Sequence, residues 1–304
     1  MKKNDELIVL EIMEQRGVLF NEAQKTRVHN LRQGYKGELE FKKWYDSHCN
    51  KRWIFVGDYW FEFKARMQAD SILISPRQWI LIDTKYYDAA FEYKNDVCYI
   101  NNVAQEKNIF DSVKEKTRRL AGIAAKVDTR IQVRPVVVFI HENCHTTFDA
   151  SLTVEAIQRT QLARFFNSIR VVDEMPDSLL QKVMSQLEFY RRPYGFPVDA
   201  LKPEGFEYVR AGTRCGGCGG FNVEKNRSGL SCKKCGRHES LQEVVYKHAY
   251  ELRYLFYHHP EMVTVNNLYR LMNGTISLKT IRKHMNTNFV LKRQSNIWYY
   301  EINI

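Results

Sequence analysis

At 304 residues, 44% of them hydrophobic, the chain is long enough to bury a real core and to divide into about two domains, which excludes a wholly disordered protein. Its net charge of +11 is uneven: residues 201–304 hold 16 Lys/Arg against 8 Asp/Glu, so a polyanionic partner is expected for the C-terminal part. No run of 18 apolar residues occurs, the start MKKNDELIVL has no secretory signal, and seven cysteines make an odd count, so a cytoplasmic protein in a reducing compartment without membrane contact is expected.

In chain order, residues 5–33 are helix-compatible, with a break at Gly17, and lead into Gly34-Tyr35-Lys36-Gly37. That glycine pair predicts a helix boundary, and a new helix is expected from Glu38 to Asp46. Strands follow at Trp53–Gly57, Tyr59–Phe63, Asp70–Ser75, Trp79–Tyr87 and Phe91–Ile100, the last turning at Asn95-Asp96. Helical periodicity covers Val103–Ala125, and Val133–Ile140 (VRPVVVFI) reads as a strand covered on both faces. Helices are expected over Val154–Asn167 and Asp177–Arg191, flanking a short Arg170–Asp173 strand. This order gives an α/β fold. The expected layout is a helical segment 1–33, an α/β domain 34–192, a Pro/Gly-rich linker 193–212, a metal-binding segment 213–238 and a C-terminal module 239–304.

The acidic residues gain meaning from a hairpin. If Ser75-Pro76-Arg77-Gln78 is a four-residue loop, Ile74 pairs with Trp79 and Asp70 stands opposite Asp83. Opposite residues share a sheet face with Cβ atoms roughly 4.5–5.5 Å apart. Alternation brings Lys85 to that face and turns Thr84 away. Two adjacent carboxylates resist ionisation unless a cation lies between them, and hard oxygen ligands suit Mg²⁺. A neighbouring lysine can position water or neutralise a phosphate, so the implied chemistry is metal-assisted phosphodiester hydrolysis. The bland alternative is a solvated ion pair, since Glu62-Phe63-Lys64 and Glu92-Tyr93-Lys94 repeat the same triplet.

Gly37-Glu38, then Gln68-Ala69-Asp70-Ser71-Ile72-Leu73-Ile74, then Trp79-Ile80-Leu81-Ile82-Asp83-Thr84-Lys85-Tyr86, then Gln105, together resemble the nuclease-related domain (NERD) family, a branch of the PD-(D/E)XK superfamily. The likeness covers residues 34–150, with related helices continuing to 192. It implies a restriction-endonuclease-like mixed sheet flanked by helices and a metal-dependent nuclease. By the resemblance, Glu38 corresponds to the acid of the first core helix, Asp70 to the metal-binding aspartate, Asp83 to the second acidic ligand and Lys85 to the catalytic lysine. Gln105 corresponds to a glutamine, on a following helix, that supports the site. The Thr84 carbonyl would assist the Mg²⁺ or Mn²⁺ ion. Asp83 stands where the family more often has glutamate, which shortens that ligand by one methylene, and Glu40 competes with Glu38 as the helix acid.

Cys215-Gly-Gly-Cys218 and Cys232-Lys-Lys-Cys235 are separated by thirteen residues, the spacing of a four-cysteine zinc ribbon. Gly219 and Gly236 tolerate the knuckle conformations. A redox role is the alternative, but no thioredoxin-like strand and helix surround either pair. Four thiolates would complete a structural Zn²⁺ shell, leaving His238 outside it. Lys225, Arg227, Lys233, Lys234 and Arg237 offer phosphate contacts, or else a merely solvated surface.

Residues 241–257 read as an amphipathic helix, Thr264 and Ser277 as caps of two shorter ones, and Phe289–Ile302 as a hairpin turning at Gln294-Ser295-Asn296. Leu278, Ile281 and Met285 are expected to face inward while Lys279, Arg282, Lys283 and Asn286 face out. This is the layout of a winged-helix-like module whose second helix could enter a major groove, with Lys279, Arg282, Lys283, Lys292 and Arg293 as DNA contacts. A dimerisation or protein-contact role is the alternative, in which Trp298, Tyr299 and Tyr300 belong to a core. The combined expectation is a Mg²⁺-dependent DNase with DNA-binding appendages. Its competitors are a non-catalytic DNA-binding regulator and an RNA-processing nuclease using the same site.

Overall fold

A computed structural model describes residues 3–194 and 198–304. From the N terminus, α1 (Asp5–Gln15) precedes the long helix α2 (Glu22–His48). The expected boundary at Gly34–Gly37 is corrected, because α2 runs through both glycines. Gly37 serves packing instead: a Cβ there would lie 3.0 Å from Tyr86 Cβ and 3.2 Å from Thr84 Cγ2. Its absence lets the helix approach the end of a strand closely, which offsets the roughly 1 kcal/mol that a helical glycine costs.

The chain then forms β1 (Ile54–Glu62), β2 (Arg66–Ile74), β3 (Gln78–Lys85), β4 (Ala90–Lys94), β5 (Val97–Ile100) and β6 (Val103–Ala104). Helix α3 (Ile109–Val127), β7 (Gln132–Phe139), β8 (His145–Phe148), β9 (Glu155–Gln158), α4 (Leu162–Ser168) and α5 (Asp177–Tyr190) follow. The main sheet has the order β1-β2-β3-β7-β9, antiparallel across the first three strands and parallel from β3 to β9. A second sheet orders as β6-β5-β4-β8.

Strand alternation sends side chains to two cores. Ile72, Ile74, Trp79, Leu81, Val137 and Phe139 pack with Phe110, Val113, Leu120 and Ile123 of α3 and with Val183 and Leu187 of α5. Leu73, Ile80, Ile82, Val136, Val138 and Ile140 pack with Phe41 of α2 and with Leu162, Phe165 and Phe166 of α4. A sheet apolar on both faces must be covered on both, and here helices do so. Helix α3 shows the matching period, burying Phe110, Val113, Thr117, Leu120, Ala124 and Val127 from an Asn108 cap.

Four sequence expectations fail here. Val103–Ala125 is not one helix: β6 pairs with β5, and α3 begins only after the Asn108 cap. Val154–Asn167 opens as a strand, since β9 extends the parallel ladder on β7. Arg170–Asp173 forms no strand, and the break expected between Gly57 and Tyr59 is absent because β1 runs through both. Where a strand formed against expectation, ladder pairing outweighed local propensity.

The chain divides into two compact units, His29–Gly195 and, separately, Lys3–Val28 with Phe196–Ile304. In the second, α1 packs on α6 (Leu241–Leu255), and a three-stranded antiparallel sheet forms from β10 (Val223–Lys225), β11 (Gly229–Cys232) and β12 (His238–Ser240). After α6 come α7 (Val265–Leu271), α8 (Leu278–Asn288) and the hairpin β13 (Val290–Gln294) with β14 (Ile297–Glu301). Thr264 and Ser277 cap α7 and α8. Ile281 and Met285 are buried, but Leu278, the first residue of α8, is 40% exposed, which corrects its inward assignment. Of the linker expected at 193–212, residues 195–197 lie outside the described residues, while Val198, Phe206 and Val209 are buried. Among the described residues no helix is long and apolar enough to cross a membrane.

Candidate active site and metal centre

The hairpin register is that of the four-residue loop, with Ile74 opposite Trp79 and the ladder continuing to Ser71 opposite Ile82. It stops one pair short of the aspartates. Ala69 and Ile72 both pack in the α3-side core, so side-chain alternation breaks between them, and Asp58 on the neighbouring strand has φ of +45°. Such irregularities re-aim side chains. The Asp70 carboxylate thereby accepts the Thr84 backbone N–H at 2.8 Å.

Asp83 is 2% exposed and carries two ammonium groups. Lys116 Nζ donates to its Oδ1 at 2.7 Å, and Lys85 Nζ lies 2.7 Å from Oδ2. Both carboxylate oxygens of Asp83 are therefore held by ammonium groups. Burial disfavours ionisation of Asp83, but the Lys85 and Lys116 charges outweigh it and hold its pKa well below the carboxylate range. Burial likewise opposes the charge on Lys85, yet Asp83 above all keeps it above the ordinary lysine range.

The other acids behave oppositely. Burial, then the charge of Asp83, pushes Asp70 up to about 6 against the pull of Lys116, Lys85 and the Thr84 N–H. Burial, then the charges of Asp70, Asp58 and Asp83, pushes Glu38 up to about 9. Glu38 thus shares the electrostatic site from the middle of α2. Glu40 does not, being ion-paired with Arg159, which also donates to the Ile140 carbonyl.

Gln105 lies apart. It sits in the loop between β6 and α3, where its N–H donates to the Cys98 carbonyl and its Nε2 to the Val103 carbonyl, so it belongs to no helix. The residue that reaches the carboxylates from α3 is Lys116, which sequence reasoning missed because nothing distinguishes it from Lys107, Lys114 or Lys126. Asp58 was also missed. Its Oδ1 accepts from Trp60 Nε1 and Gln68 Nε2, each at 3.0 Å. The Gly57-Asp58 pair was its signal, misread as a break between strands.

The set of hard carboxylate oxygens and the raised Asp70 and Glu38 are the chemistry of a site that would accept a divalent cation. The three acids do not form a closed cage: among the described residues, the four cysteines are the group of three or more metal-ligand side chains whose atoms lie within 4.8 Å of one another.

Those thiols are Cys215, Cys218, Cys232 and Cys235, with Sγ–Sγ separations of 3.6 Å for Cys215–Cys235 and for Cys218–Cys232. A tetrahedron with Zn–S of ~2.3 Å has edges of about 3.8 Å, so the cluster fits a structural zinc. Gly219 and Gly236 have φ of +69° and +73°, the left-handed conformation that closes each knuckle. Backbone N–H groups of Cys235 and Lys234 lower the Cys232 thiol to about 6, which favours the thiolate that binds metal. Glu239 braces the knuckle by accepting the Gly216 N–H at 2.7 Å and Lys247 Nζ at 2.9 Å.

The basic residues Lys225, Arg227, Lys233, Lys234 and Arg237 around the thiols are exposed, as are Lys279, Arg282 and Lys283 on α8 and Lys292 and Arg293 on the hairpin. Lys233 pairs with Glu224 and Lys292 with Glu301, at 3.1 and 3.5 Å. Tyr300 is buried, whereas Trp298 is 55% exposed with the Arg293 guanidinium 5.5 Å from its ring centre.

A cavity of about 830 Å³ bounded by Trp53, Ser75, Arg77, Gln78 and Gln132 lies at the other end of the main sheet from Asp83, and none of the acids or lysines described above lines it. Comparison with curated proteins and with solved structures gives no match. Residues 33–140 match the family model of the nuclease-related domain. The stretch bearing Glu38, Asp70, Asp83, Lys85 and Lys116 is therefore a nuclease-related domain, joined in one chain to a four-cysteine cluster consistent with a zinc ribbon.

Proposed function

We propose that the protein is a divalent-metal-dependent nuclease that hydrolyses DNA phosphodiesters. Supporting the fold half of this reading is the mixed sheet between two helical layers, which suits a restriction-endonuclease-like domain. The observation that carries the chemistry is a buried Asp83 held ionised by two lysines beside Asp70.

Asp70, Asp83 and the Thr84 carbonyl would hold Mg²⁺ or Mn²⁺. Bound there, the cation would supply a more acidic water and a Lewis acid for the phosphate. Lys85 orients the attacking water and neutralises charge on the phosphate. Glu38, protonated in its raised-pKa state, donates a hydrogen bond to water or phosphate and shifts toward the carboxylate as positive charge approaches. The zinc ribbon and a winged-helix-like α7–α8–hairpin module bind DNA through Lys233, Lys234, Arg237, Lys279, Arg282, Lys283, Lys292 and Arg293.

A second reading, a DNA-binding protein that turns over slowly or not at all, draws support from Lys116, since an ammonium on Asp83 Oδ1 occupies an oxygen that a metal would use. Supercoiled plasmid incubated with Mg²⁺ or with EDTA separates the two. Nicking that needs metal and disappears in Asp83→Ala and Lys85→Ala supports the enzyme. Tight binding with no nicking supports the second reading, and nicking unchanged in both variants removes this site from the reaction.

A further inference from the structure

A cavity of about 330 Å³ opens where the second sheet meets the start of α3. Its walls include Tyr87, Phe91, Ile100 and Ile109, with Gln105, Glu106 and Lys107 at the polar side. Ligand pockets span roughly 300–1,000 Å³, so this one suits a single small planar group. It adjoins the proposed chemistry: Tyr87 lies two residues beyond Lys85, and the charges of Lys85 and Asp83 both act on its phenol.

The lining is chemically selective. Tyr87 is held near-parallel to Phe91, with ring centres 6.1 Å apart and 19° between planes, and packs on Phe139. Gln105 is anchored by its backbone bond to Cys98 and by Nε2 to Val103, which leaves its Oε1 as a fixed acceptor. Lys107 forms no ion pair among the described residues. An oriented aromatic wall and a fixed amide match the face of a nucleobase and its polar edge, while Lys107 offsets the charge of Glu106 beside it.

We propose that this cavity binds one unpaired nucleobase next to the scissile phosphate, so that the substrate is single-stranded or locally unpaired nucleic acid. A base within an intact duplex cannot enter, because it must first leave the stack. Tyr87 supplies the stacking surface and Gln105 reads the base edge, which gives that glutamine a role in substrate choice. The inference rests on the nuclease reading for the identity of the polymer.

The test uses the full chain with its zinc, in buffer without added Mg²⁺ and without chelator, with fluorescence anisotropy on short labelled DNA and RNA single strands, each intact or carrying one abasic position moved along the strand, and on the corresponding duplexes. Base–aromatic contacts of this kind change affinity roughly tenfold. Wild type is expected to bind single strands more tightly than duplex and to lose about tenfold in affinity at one abasic position. Tyr87→Ala shows the same loss on the intact strand and no further loss at that position, while Tyr87→Phe binds as wild type. The arm with the tighter binding identifies DNA or RNA as the source of the base. An abasic scan flat in wild type, equal abasic losses in wild type and Tyr87→Ala, or no binding to any strand overturns the proposal. Plasmid nicking is scored separately: nicking with a flat scan removes the pocket and keeps the nuclease, and a Tyr87-dependent scan without nicking keeps the pocket and removes catalysis.

Discussion

Lys116, on a helix 33 residues beyond Asp83, donates to Asp83 Oδ1 at 2.7 Å, and the two form a mostly buried ion pair at the end of the central strand. A carboxylate shared by two lysines is ionised at any physiological pH, but one of its oxygens is committed to an ammonium. A divalent ion bound there would have to share Asp83 with both lysines, which would make Lys116 its competitor.

Removing that competitor has a direction. Lys116→Met is expected to lower the Mg²⁺ concentration for half-maximal cleavage roughly tenfold, because a like charge near the cation is gone. Lys85→Met is expected to lower the rate at saturating metal by roughly a hundredfold or more, as loss of an acid–base or electrostatic group does. Metal titrations of cleavage check both, and an unchanged metal requirement in Lys116→Met would refute the competition.

Stability should depend on pH in a metal-dependent way. Glu38 and Asp70 have folded pKa values of about 9 and about 6, above their ordinary values, so the folded state holds protons that the unfolded chain has lost. Their stabilising contribution is full below about pH 4 and declines as pH rises, until about 6 for Asp70 and about 9 for Glu38. Asp83, depressed by its lysines, works in the opposite sense, losing its contribution only as pH falls below the ordinary carboxylate range. In buffer without added Mg²⁺ and without chelator, Tm is expected to fall as pH rises from 5 to 9. Glu38→Gln flattens the upper part of that profile, and calorimetry at several pH values reads it.

Zinc should be structural. Elemental analysis is expected to find one equivalent in wild type and less in Cys232→Ser, since a ribbon this small takes its folding energy from the metal. Chelation or Cys232→Ser would raise protease sensitivity around residues 213–238, and an unchanged digestion pattern would argue against a structural ion.

Beneath the ribbon lies a buried charge network. Arg16, fully buried, donates to Glu251 Oε2 and to the Gly212 carbonyl at 2.7 Å, while Arg214 Nη1 donates to Glu251 Oε1 at 2.8 Å. The Arg214 N–H also donates to His248 Nε2 at 3.0 Å, so this imidazole is neutral with its proton on Nδ1 facing the Val244 carbonyl. Burial lowers the His248 pKa to about 4, consistent with that state. Glu251→Ala leaves two arginines buried without their acid and is expected to cost about 3–5 kcal/mol in urea unfolding. A loss under 1 kcal/mol would show that water reaches the site.

Much of the architecture was legible in the sequence because it depends on local patterns. The apolar run Val136–Phe139, the Ser75–Gln78 turn that sets the hairpin register, the caps Thr264 and Ser277, and the two CxxC knuckles with their glycines are each fixed by residues a few positions apart. Period, cap chemistry and turn length carry that information.

What tertiary structure decided has a different range. Nothing within Gly34–Gly37 reveals that the missing Cβ matters only because Tyr86 passes 3.0 Å away. Lys116 became part of the acid cluster, and Gln105 came to lie in a loop rather than a helix, through the path of the chain across β4–β6 and the start of α3. Residues 154–158 became a strand because β7 offered an unpaired parallel edge. The sequence alone determined the hairpin register, the helix caps and the thiol knuckles. Tertiary packing decided which charges share a buried site, because the energy of such a pair depends on separation and burial, and neither is encoded in neighbouring residues.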